Sequence, residues 1–541
     1  MATRRRGWRA CGWVLLAAAA AWAAQDWQQA GERWWAHVAY LASPALEGRG
    51  TGSAGYQRAA AYVAQQFAAA GLEPAGTQGY LQPVPFVVRE LDAAHSSVEL
   101  VTPAGRQPLA LGRDVLVSLR GDPAPELEAP AVFAGYGLEV PEAGWNDFAG
   151  LPVRGRLVVY LAGTPAGLPS AVAAHYQSAE RWRRLRAAGA LGLVMIPNPR
   201  TMEIPWERMG MRPLFLLADR SLREWTGLRV ALTVNPAVAD RLLEGSGHRL
   251  AELAALGAAS RPLPRFPLKV RLRVRQALRE RAVESPNVVG RLPGADPQRA
   301  RQTVVISAHL DHLGVIERDG RRVLFPGAMD NASGVAALIE AARQLAAGPR
   351  PPRSLLFVAF TAEEQGELGS WYFVRRLPPA AGVPVADINM DMFLPLFPLR
   401  YLEVQGLDES TLGDDIRAVC REAGVVVQAD KVPSANRFIR SDQYSFVRAG
   451  VPALAFKFGW TFGSPEQRIF DQWIAQRYHG PDDDTAQPVD RAAAAQFTAL
   501  IARLAARVAA APEPPRWLPS SFFRRFAHPG QPSWPGPGDG R

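Results

Sequence analysis

The chain has 541 residues, more than one typical domain, which favours two domains with extensions. Its formal charge of +10 is carried almost wholly by scattered arginines, because only three lysines occur. No basic run interleaved with aromatic residues follows the N-terminus. Biased codon usage explains this arginine excess better than a nucleic-acid-binding role does.

Residues 1–24 have the pattern of a secretory signal peptide. Four arginines precede a short apolar stretch, which ends in the A-x-A sequence Ala21-Trp22-Ala23. We expect cleavage near Ala23 or Ala24, with an uncleaved anchor as the alternative. No other segment is interpreted as long and apolar enough to cross a membrane, so the mature protein is expected in the periplasm or outside the cell.

The two cysteines predict no intramolecular disulfide. Cys11 would leave with the signal peptide, and Cys420 would then have no partner in the chain. Cys420 lies in a predicted helix and is expected to be buried, which argues against a cysteine nucleophile. We therefore expect the core and a bound metal, rather than disulfides, to stabilise the protein.

The first two predicted elements are helices within residues 27–72, separated by a glycine-rich loop around Arg49. Short apolar runs divided by Pro and Gly follow from about residue 115 to 270 and indicate an inserted β-rich module. The runs TVVISAHL, SLLFVAFT, ADINMDMF and PALAFKFG then indicate buried strands of an α/β sheet. Between the first two of these runs, GVAALIEAARQLAAG predicts a strong helix. The predicted division is 1–24 signal, 25–115 first part of the main domain, 116–270 insert, 271–511 second part, and 512–541 a Pro-rich disordered tail.

The run TVVISAHL ends at His309, and Asp311 follows two residues later. Residues i and i+2 at a strand end point the same way. Asp311 is therefore placed to accept a hydrogen bond from His309 or to brace the loop that aims it, as outer groups of metal sites do. A solvated histidine beside a turn-forming aspartate is the alternative. By the same periodicity, His312 points away and is interpreted as structural.

Two further acidic residues are candidates for metal binding. Asp330 lies in GAMDNASG, where small residues leave a carboxylate room to approach two cations, although an Asx turn or helix cap is the alternative. Asp391 lies in an otherwise apolar strand, where a carboxylate costs free energy unless it is paired or metal-bound. Asp387, earlier in that strand, is assigned to its solvent edge.

Glu363 and Glu364 follow another predicted buried strand, where adjacent carboxylates repel unless a cation neutralises them. In a metal site Glu364 would be a ligand, and Glu363 would remain free to transfer protons. An acidic helix start is the alternative. His479 lies in a Gly/Pro/Asp loop, with Asp483 close enough to brace it.

Together these residues indicate a two-metal hydrolase, because two imidazoles and three carboxylates hold two divalent cations if one carboxylate bridges. Nitrogen and oxygen donors suit Zn²⁺ first, with Co²⁺ or Mn²⁺ as substitutes. The sequence contains no G-x-S-x-G, P-loop or H-E-x-x-H motif. The candidate metal ligands are His309, Asp330, Glu364, Asp391 and His479.

The motifs HLDHLG, GAMDNASG, FTAEEQGELGS, NMDM and YHGPDDD together resemble the co-catalytic di-zinc aminopeptidase family. Its clan also includes glutamate carboxypeptidase II, transferrin receptor and glutaminyl cyclase. The resemblance covers roughly residues 30–510, and the middle module resembles the protease-associated domain inserted in many members. It implies an α/β zinc-peptidase fold with a mixed, mostly parallel central sheet flanked by helices, plus that inserted domain.

Residue by residue, the resemblance implies that Asp330 bridges two zinc ions. The other ligands would be His309 and Asp391 for one ion, and Glu364 and His479 for the second. Glu363 would be the general base and acid, with Asp311 as the outer partner of His309. A metal-bridging hydroxide would attack the peptide carbonyl. The substrate's free N-terminal amine would bind near one metal, which implies an exopeptidase acting on peptide or protein N-termini.

One departure and several alternatives remain open. Gln443 stands where histidine is common in the family, which puts local packing or substrate contacts in question. A glutaminyl cyclase-like acyltransferase with one zinc and a non-catalytic receptor-like binding protein are the rival classes. Aminopeptidase is favoured over carboxypeptidase because the chain resembles the bacterial members, and no cluster of basic residues can be assigned to a substrate carboxylate. Side-chain specificity and oligomeric state are not predicted.

Overall fold

A computed structural model of the chain describes residues 25–202, 206, 209–318 and 320–527. The predicted signal peptide and residues 528–541 lie outside these ranges. The chain divides into two compact units, one made of Met1–Val84 with Glu284–Arg541 and the other of Pro85–Val283. The second unit extends beyond the predicted insert, 116–270, at both ends.

The first unit is built on a mixed sheet whose central strands are parallel. From Leu278–Leu292 onward, the strand order is Leu278–Leu292, Ser354–Phe360, Gln302–His309, Val383–Asn389, Ala453–Phe458, Tyr401–Gln405 and Val426–Ala429. The four strands from Ser354–Phe360 to Ala453–Phe458 in this order run parallel. Their carboxyl ends therefore meet at one edge, where open α/β sheets place their sites.

Helices of the first unit enclose a large apolar core that includes Trp34, Phe67 and Phe357. The helix predicted from GVAALIEAARQLAAG is present as Ser333–Ala346, and Cys420 is buried in another, as expected. The helices are Trp27–Leu41, Ala54–Ala69, Ser333–Ala346, Leu368–Arg375, Leu412–Ala423, Gln443–Arg448, Pro465–Gln476 and Arg491–Ala510.

The second unit is β-rich, as its apolar runs predict. Its mixed sheet has the order Gly105–Leu109, Ser97–Thr102, Arg265–Arg275, Glu126–Ala134, Leu157–Leu161, Gly192–Ile196, Val230–Val234 and Val115–Val117. The helices are Ser170–Gln177, Ala179–Ala187, Ala239–Leu242 and Leu250–Ala258. Further strands in this part of the chain are Glu139–Val140, Trp145–Asn146 and Leu214–Leu217, the last of which pairs with Leu81–Leu91. Its assignment as a protease-associated domain stays a prediction.

Two expectations about the C-terminal part are wrong. Residues 512–527, predicted to be disordered, pack on the first unit: Phe523 is buried, and the Trp517 indole donates to the Gly450 carbonyl at 2.8 Å. The second wrong expectation is that no segment after the N-terminus is long and apolar enough to cross a membrane, because the helix Arg491–Ala510 meets that criterion by length and composition. However, 72% of its apolar window is buried, because it packs against Trp27–Leu41 and Ser333–Ala346 as a core helix.

Candidate metal centre

The candidate ligands meet at the carboxyl edge of the first unit's sheet. His309 ends one parallel strand, Glu364 follows a second within four residues, and Asp391 follows a third within two. Asp330 lies in the turn that opens the helix Ser333–Ala346. His479 lies in the loop that follows the helix Pro465–Gln476. The fold therefore brings all five candidate ligands together.

One group of donors surrounds His309. Its Nε2 atom lies 3.3 Å from Asp330 Oδ1 and 3.3 Å from Asp391 Oδ1. The imidazole is buried, and its Nδ1 atom lies 3.0 Å from the main-chain carbonyl oxygen of Asp311, which fixes the ring orientation. His309, Asp330 and Asp391 thus form a compact set with one nitrogen and two oxygen donors.

A second group shares Asp330 with the first. The Nε2 atom of His479 lies 3.3 Å from Asp330 Oδ2 and 3.4 Å from Glu364 Oε2. His312 approaches the same carboxylates, with Nδ1 2.8 Å from Glu364 Oε1 and 3.7 Å from Asp330 Oδ2. The prediction that His312 points away is therefore wrong. Past the strand end, the chain turns at Gly314 (φ 76°) beside the loop of Arg49, and the strict alternation no longer holds.

Most of these distances fit zinc. Tetrahedral nitrogen and oxygen ligands 2.0–2.1 Å from a zinc ion lie about 3.3–3.4 Å from one another. The four contacts of His309 and His479 have this spacing, whereas the 2.8 Å contact of His312 has the length of a hydrogen bond. The donor set is also the imidazole and carboxylate mixture that zinc accepts. The residues present therefore fit two zinc ions.

The electrostatics of the centre indicate that a cation belongs there. Burial raises the pKa of Glu363 well above its ordinary range, and Asp391 and Glu364 add to this although His309 opposes it. Burial would also raise the pKa of Asp330, but the neighbouring imidazoles, His312 first, hold it well below its usual range. Crowded carboxylates in a buried site are costly without positive charge, which a bound metal supplies.

Asp311 and Asp483 act differently from their predicted roles. His309 bonds to the main chain of Asp311, while the buried Asp311 carboxylate accepts from the Glu363 amide at 3.0 Å and the Thr51 hydroxyl at 3.0 Å. Asp311 therefore braces the loop that carries Glu363. Asp483 accepts from the amides of Met329 and Asp330 at 2.9 and 3.0 Å, so it holds the Asp330 turn.

Arg49 is a supporting residue whose role the sequence did not reveal. It is fully buried, and its guanidinium donates to the carbonyls of Leu310, Pro326 and Gly327 at 2.9, 2.8 and 2.9 Å. Burial lowers the pKa of Arg49 to about 10 despite nearby carboxylates. One side chain thus ties the loop after His309 to the turn before Asp330. The glycine-rich loop around it was the signal available in the sequence.

Three residues beside the centre have left-handed backbone conformations although none is glycine. Ala362 precedes Glu363 and has φ 55°, Met392 follows Asp391 and has φ 45°, and His479 itself has φ 51°. Such conformations cost free energy and concentrate at functional sites, where the surrounding structure imposes them. They aim consecutive side chains in directions that a regular strand or helix does not provide.

Asp387 is not at the solvent edge of its strand, contrary to the prediction. Its side chain is fully buried and accepts a hydrogen bond from the Ser307 hydroxyl at 2.8 Å. Burial raises the pKa of Asp387 well above its ordinary range. Segment 436–443 contacts the edge of this face, because the Gln443 carboxamide oxygen accepts from Asn389 at 2.6 Å.

Comparison with known proteins agrees with the site. Residues 287–505 match the model of Peptidase family M28, which confirms the resemblance to co-catalytic zinc aminopeptidases over this segment. Leupeptin-inactivating enzyme 1 of Streptomyces exfoliatus is 29% identical over 168 residues, or 31% of this chain and 34% of that protein. Aminopeptidase YwaD of Bacillus subtilis is 30% identical over 183 residues, or 33% and 35%. The match thus spans about a third of the length of these curated relatives.

The fold is also that of a solved aminopeptidase. The structure of the aminopeptidase from Aneurinibacillus sp. strain AM-1 superposes with a TM-score of 0.52 at 19% identity. The superposition covers 88% of this chain and 92% of that one. This confirms the expected α/β zinc-peptidase fold.

Proposed function

We propose that the chain is a metal-dependent exopeptidase that removes N-terminal residues from peptides or proteins. The observation that supports it most is that two donor groups share Asp330. One carboxylate oxygen of Asp330 lies 3.3 Å from His309 Nε2, and the other lies 3.3 Å from His479 Nε2. The family match over residues 287–505 points the same way. The proposed ligands are His309, Asp330 and Asp391 for one zinc ion, and Asp330, Glu364 and His479 for the other.

Zinc bound at this centre would polarise the substrate's peptide carbonyl and lower the pKa of a water molecule that attacks it. Glu363 is the proton carrier in this proposal. It stands next to a ligand but is not itself one of the proposed ligands, so its carboxylate is free to accept a proton from the attacking water and deliver it to the leaving amine. The Glu363 amide donates to Asp311, so Asp311 positions the base.

Two other classes are less well supported. A cyclase with a single zinc would need only one donor group, but both groups are complete here. A binding protein would have no use for an uncoordinated Glu363 next to the proposed ligand Glu364, or for the Asp311 carboxylate that braces the Glu363 amide. Secretion belongs to the same proposal and rests on the signal-peptide pattern of residues 1–24.

The test measures zinc content and turnover in one preparation. After dialysis against zinc and removal of the excess, about two ions per chain are expected. Leucine arylamide should be hydrolysed and N-acetyl-leucine arylamide should not, because the free amine is required. About one ion would favour the cyclase, and no ion in folded protein would favour the binding protein.

The assignment of the base has its own variant. Glu363→Gln removes the proton acceptor but none of the proposed ligands, so turnover should fall at least about 100-fold while zinc content stays unchanged. Asp387→Asn provides a matched loss of a buried carboxylate outside both donor groups. Retained turnover in Glu363→Gln would contradict the proposal.

A further inference from the structure

A row of polar side chains continues across the sheet beyond the metal ligands. Asn389, the last residue of its strand, pairs with Ala455 in the parallel register, and Lys457 two residues further on contacts the main chain of Asp391. Lys457 in turn pairs directly with Glu403 on the next strand. Residues level with one another in adjacent strands have side chains on the same face. Lys457 and Glu403 therefore lie side by side next to Asp391.

Lys457 is a buried cation in contact with this edge of the metal centre. Its side chain is buried, and Nζ donates to the main-chain carbonyl of Asp391 at 2.7 Å. One of the three ammonium protons is used in that bond. A lysine in the middle of a core strand needs negative partners, because burying an uncompensated charge is costly.

Arg437 brings a second cation over the same row. Its Nη1 atom lies 3.3 Å from Glu403 Oε1, and its side chain is 24% exposed whereas that of Glu403 is 2% exposed. Gln443 fixes its backbone: the carboxamide donates to the carbonyls of Arg437 and Phe438 at 3.3 and 3.0 Å and accepts from Asn389. The unusual glutamine therefore anchors Arg437 to the strand that leads to Asp391.

The charges around Glu403 do not balance. Lys457, Arg437 and Lys431 all act on Glu403 or on one another, while Asp430 lies near Glu403 and both Asp391 and Asp330 act on Lys457. Once Asp391 and Asp330 are engaged as metal ligands, these three cations face two carboxylates, Glu403 and Asp430. Two of the three lysines in an arginine-rich chain lie in this cluster.

We propose that Lys457 and Arg437 form a subsite for a substrate carboxylate on the Asp391 side of the metal centre. The subsite rests on the proposed peptidase function. Its ligand is a carboxylate within a peptide, supplied either by an acidic N-terminal side chain or by the α-carboxylate of a short peptide. The partly exposed Arg437 offers the planar donor pair that binds carboxylates well, and Lys457 adds a fixed charge behind it.

Substrate pairs that differ only in charge test the subsite. Glutamyl and glutaminyl arylamides isolate an acidic side chain, and Leu-Ala and Leu-Ala-amide isolate an α-carboxylate. The proposal expects kcat/KM to favour the carboxylate by about tenfold in one of the two pairs, and that pair identifies the source. Ratios near one in both pairs would overturn it.

Arg437→Gln should reduce the favoured ratio toward one, and Arg437→Glu should bring it below one, so that the neutral member of the pair becomes the better substrate. Arg440→Gln is the matched control, because Arg440 is exposed on the same segment and bonds only to the Ala435 carbonyl among the contacts described for it. Lys457 is not the test position, since its loss would disturb Asp391. A favoured ratio that survives Arg437→Gln would overturn the assignment.

Leucine arylamide separates the failure of this subsite from the failure of the proposed function. If zinc-loaded protein hydrolyses no arylamide at all, the peptidase proposal fails and the subsite with it. If leucine arylamide is hydrolysed while both charge ratios stay near one, only the subsite fails.

Discussion

His312 and His479 approach the same carboxylate, Glu364, in different ways. His479 Nε2 keeps the 3.3–3.4 Å spacing of two atoms that share an ion, whereas His312 Nδ1 is at hydrogen-bonding distance from Glu364. His312 is also fully buried, while the side chain of His479 is 39% exposed and can face a substrate. The geometry favours His479 as a ligand and His312 as the group that orients Glu364.

Zinc content separates the two histidines. His479→Ala should retain about one ion per chain after dialysis, because one donor group loses its nitrogen. His312→Gln should retain about two at saturating zinc but bind one of them about 10–100-fold more weakly, as the loss of an outer hydrogen bond does. Equal ion loss in both variants, measured by metal analysis, would contradict this division of roles.

At the scale of elements, a buried acid joins the helix Ser333–Ala346 to Trp27–Leu41. Glu340 is 3% exposed and contacts Arg343 at 2.9 Å, Arg33 at 3.4 Å and His37 at 3.6 Å. Burial would raise the pKa of Glu340, but His37 and Arg343 outweigh it and lower the pKa from 4.5 to about 2. The folded state therefore holds the carboxylate ionised more strongly than the unfolded state does.

This shift predicts an acid-dependent contribution to stability. Because the folded pKa is depressed, the contribution of Glu340 is fully present above pH 4.5 and is lost as the pH falls from 4.5 toward 2. Glu340→Gln should lower the thermal unfolding midpoint at pH 6, and its difference from the unmodified protein should shrink steadily below pH 4.5. The exposed Glu513→Gln is the control. A difference that stays constant with pH would show that Glu340 acts through packing alone.

The elements were predictable from sequence because their signals are local. All-buried runs such as SLLFVAF and the helical spacing around Leu338 specify strand and helix without knowledge of the neighbours. The contacts at the ends of those elements were not predictable. Asp483 bonds to the Asp330 turn from 153 residues away, and Arg49 reaches Gly327 across 278. No local pattern encodes such pairings.

The substrate subsite was missed for the same reason. Lys457 and Arg437 are 20 residues apart and look like isolated charges, so no basic cluster in the sequence could be assigned to a carboxylate. Lys457 contacts the main chain of Asp391, and Gln443 anchors the segment of Arg437 to the neighbouring strand. Candidate metal ligands such as Glu364 and Asp391 could be proposed from sequence because an acid within or directly after an apolar strand is costly unless it is paired or metal-bound.

At the scale of the whole molecule, metal binding is expected to stabilise the folded chain. The donor groups come from segments spread between His309 and His479, and no unfolded chain holds them together. A ligand that binds only the folded state adds about 4 kcal/mol at a thousand times its dissociation constant. Because the chain contains two compact units, only the unfolding of the unit with the metal centre should respond.

Chelation therefore should lower the calorimetric midpoint of one transition by about 8 °C or more and leave any second transition unchanged. Asp330→Asn removes the carboxylate that both groups share. Chelation should therefore lower the midpoint of this variant by no more than about 2 °C. Asp387→Asn is the control: it replaces a buried carboxyl group outside both donor groups with an amide of similar shape, so the full shift should remain. An Asp330→Asn protein that keeps the full shift would place the stabilising metal elsewhere.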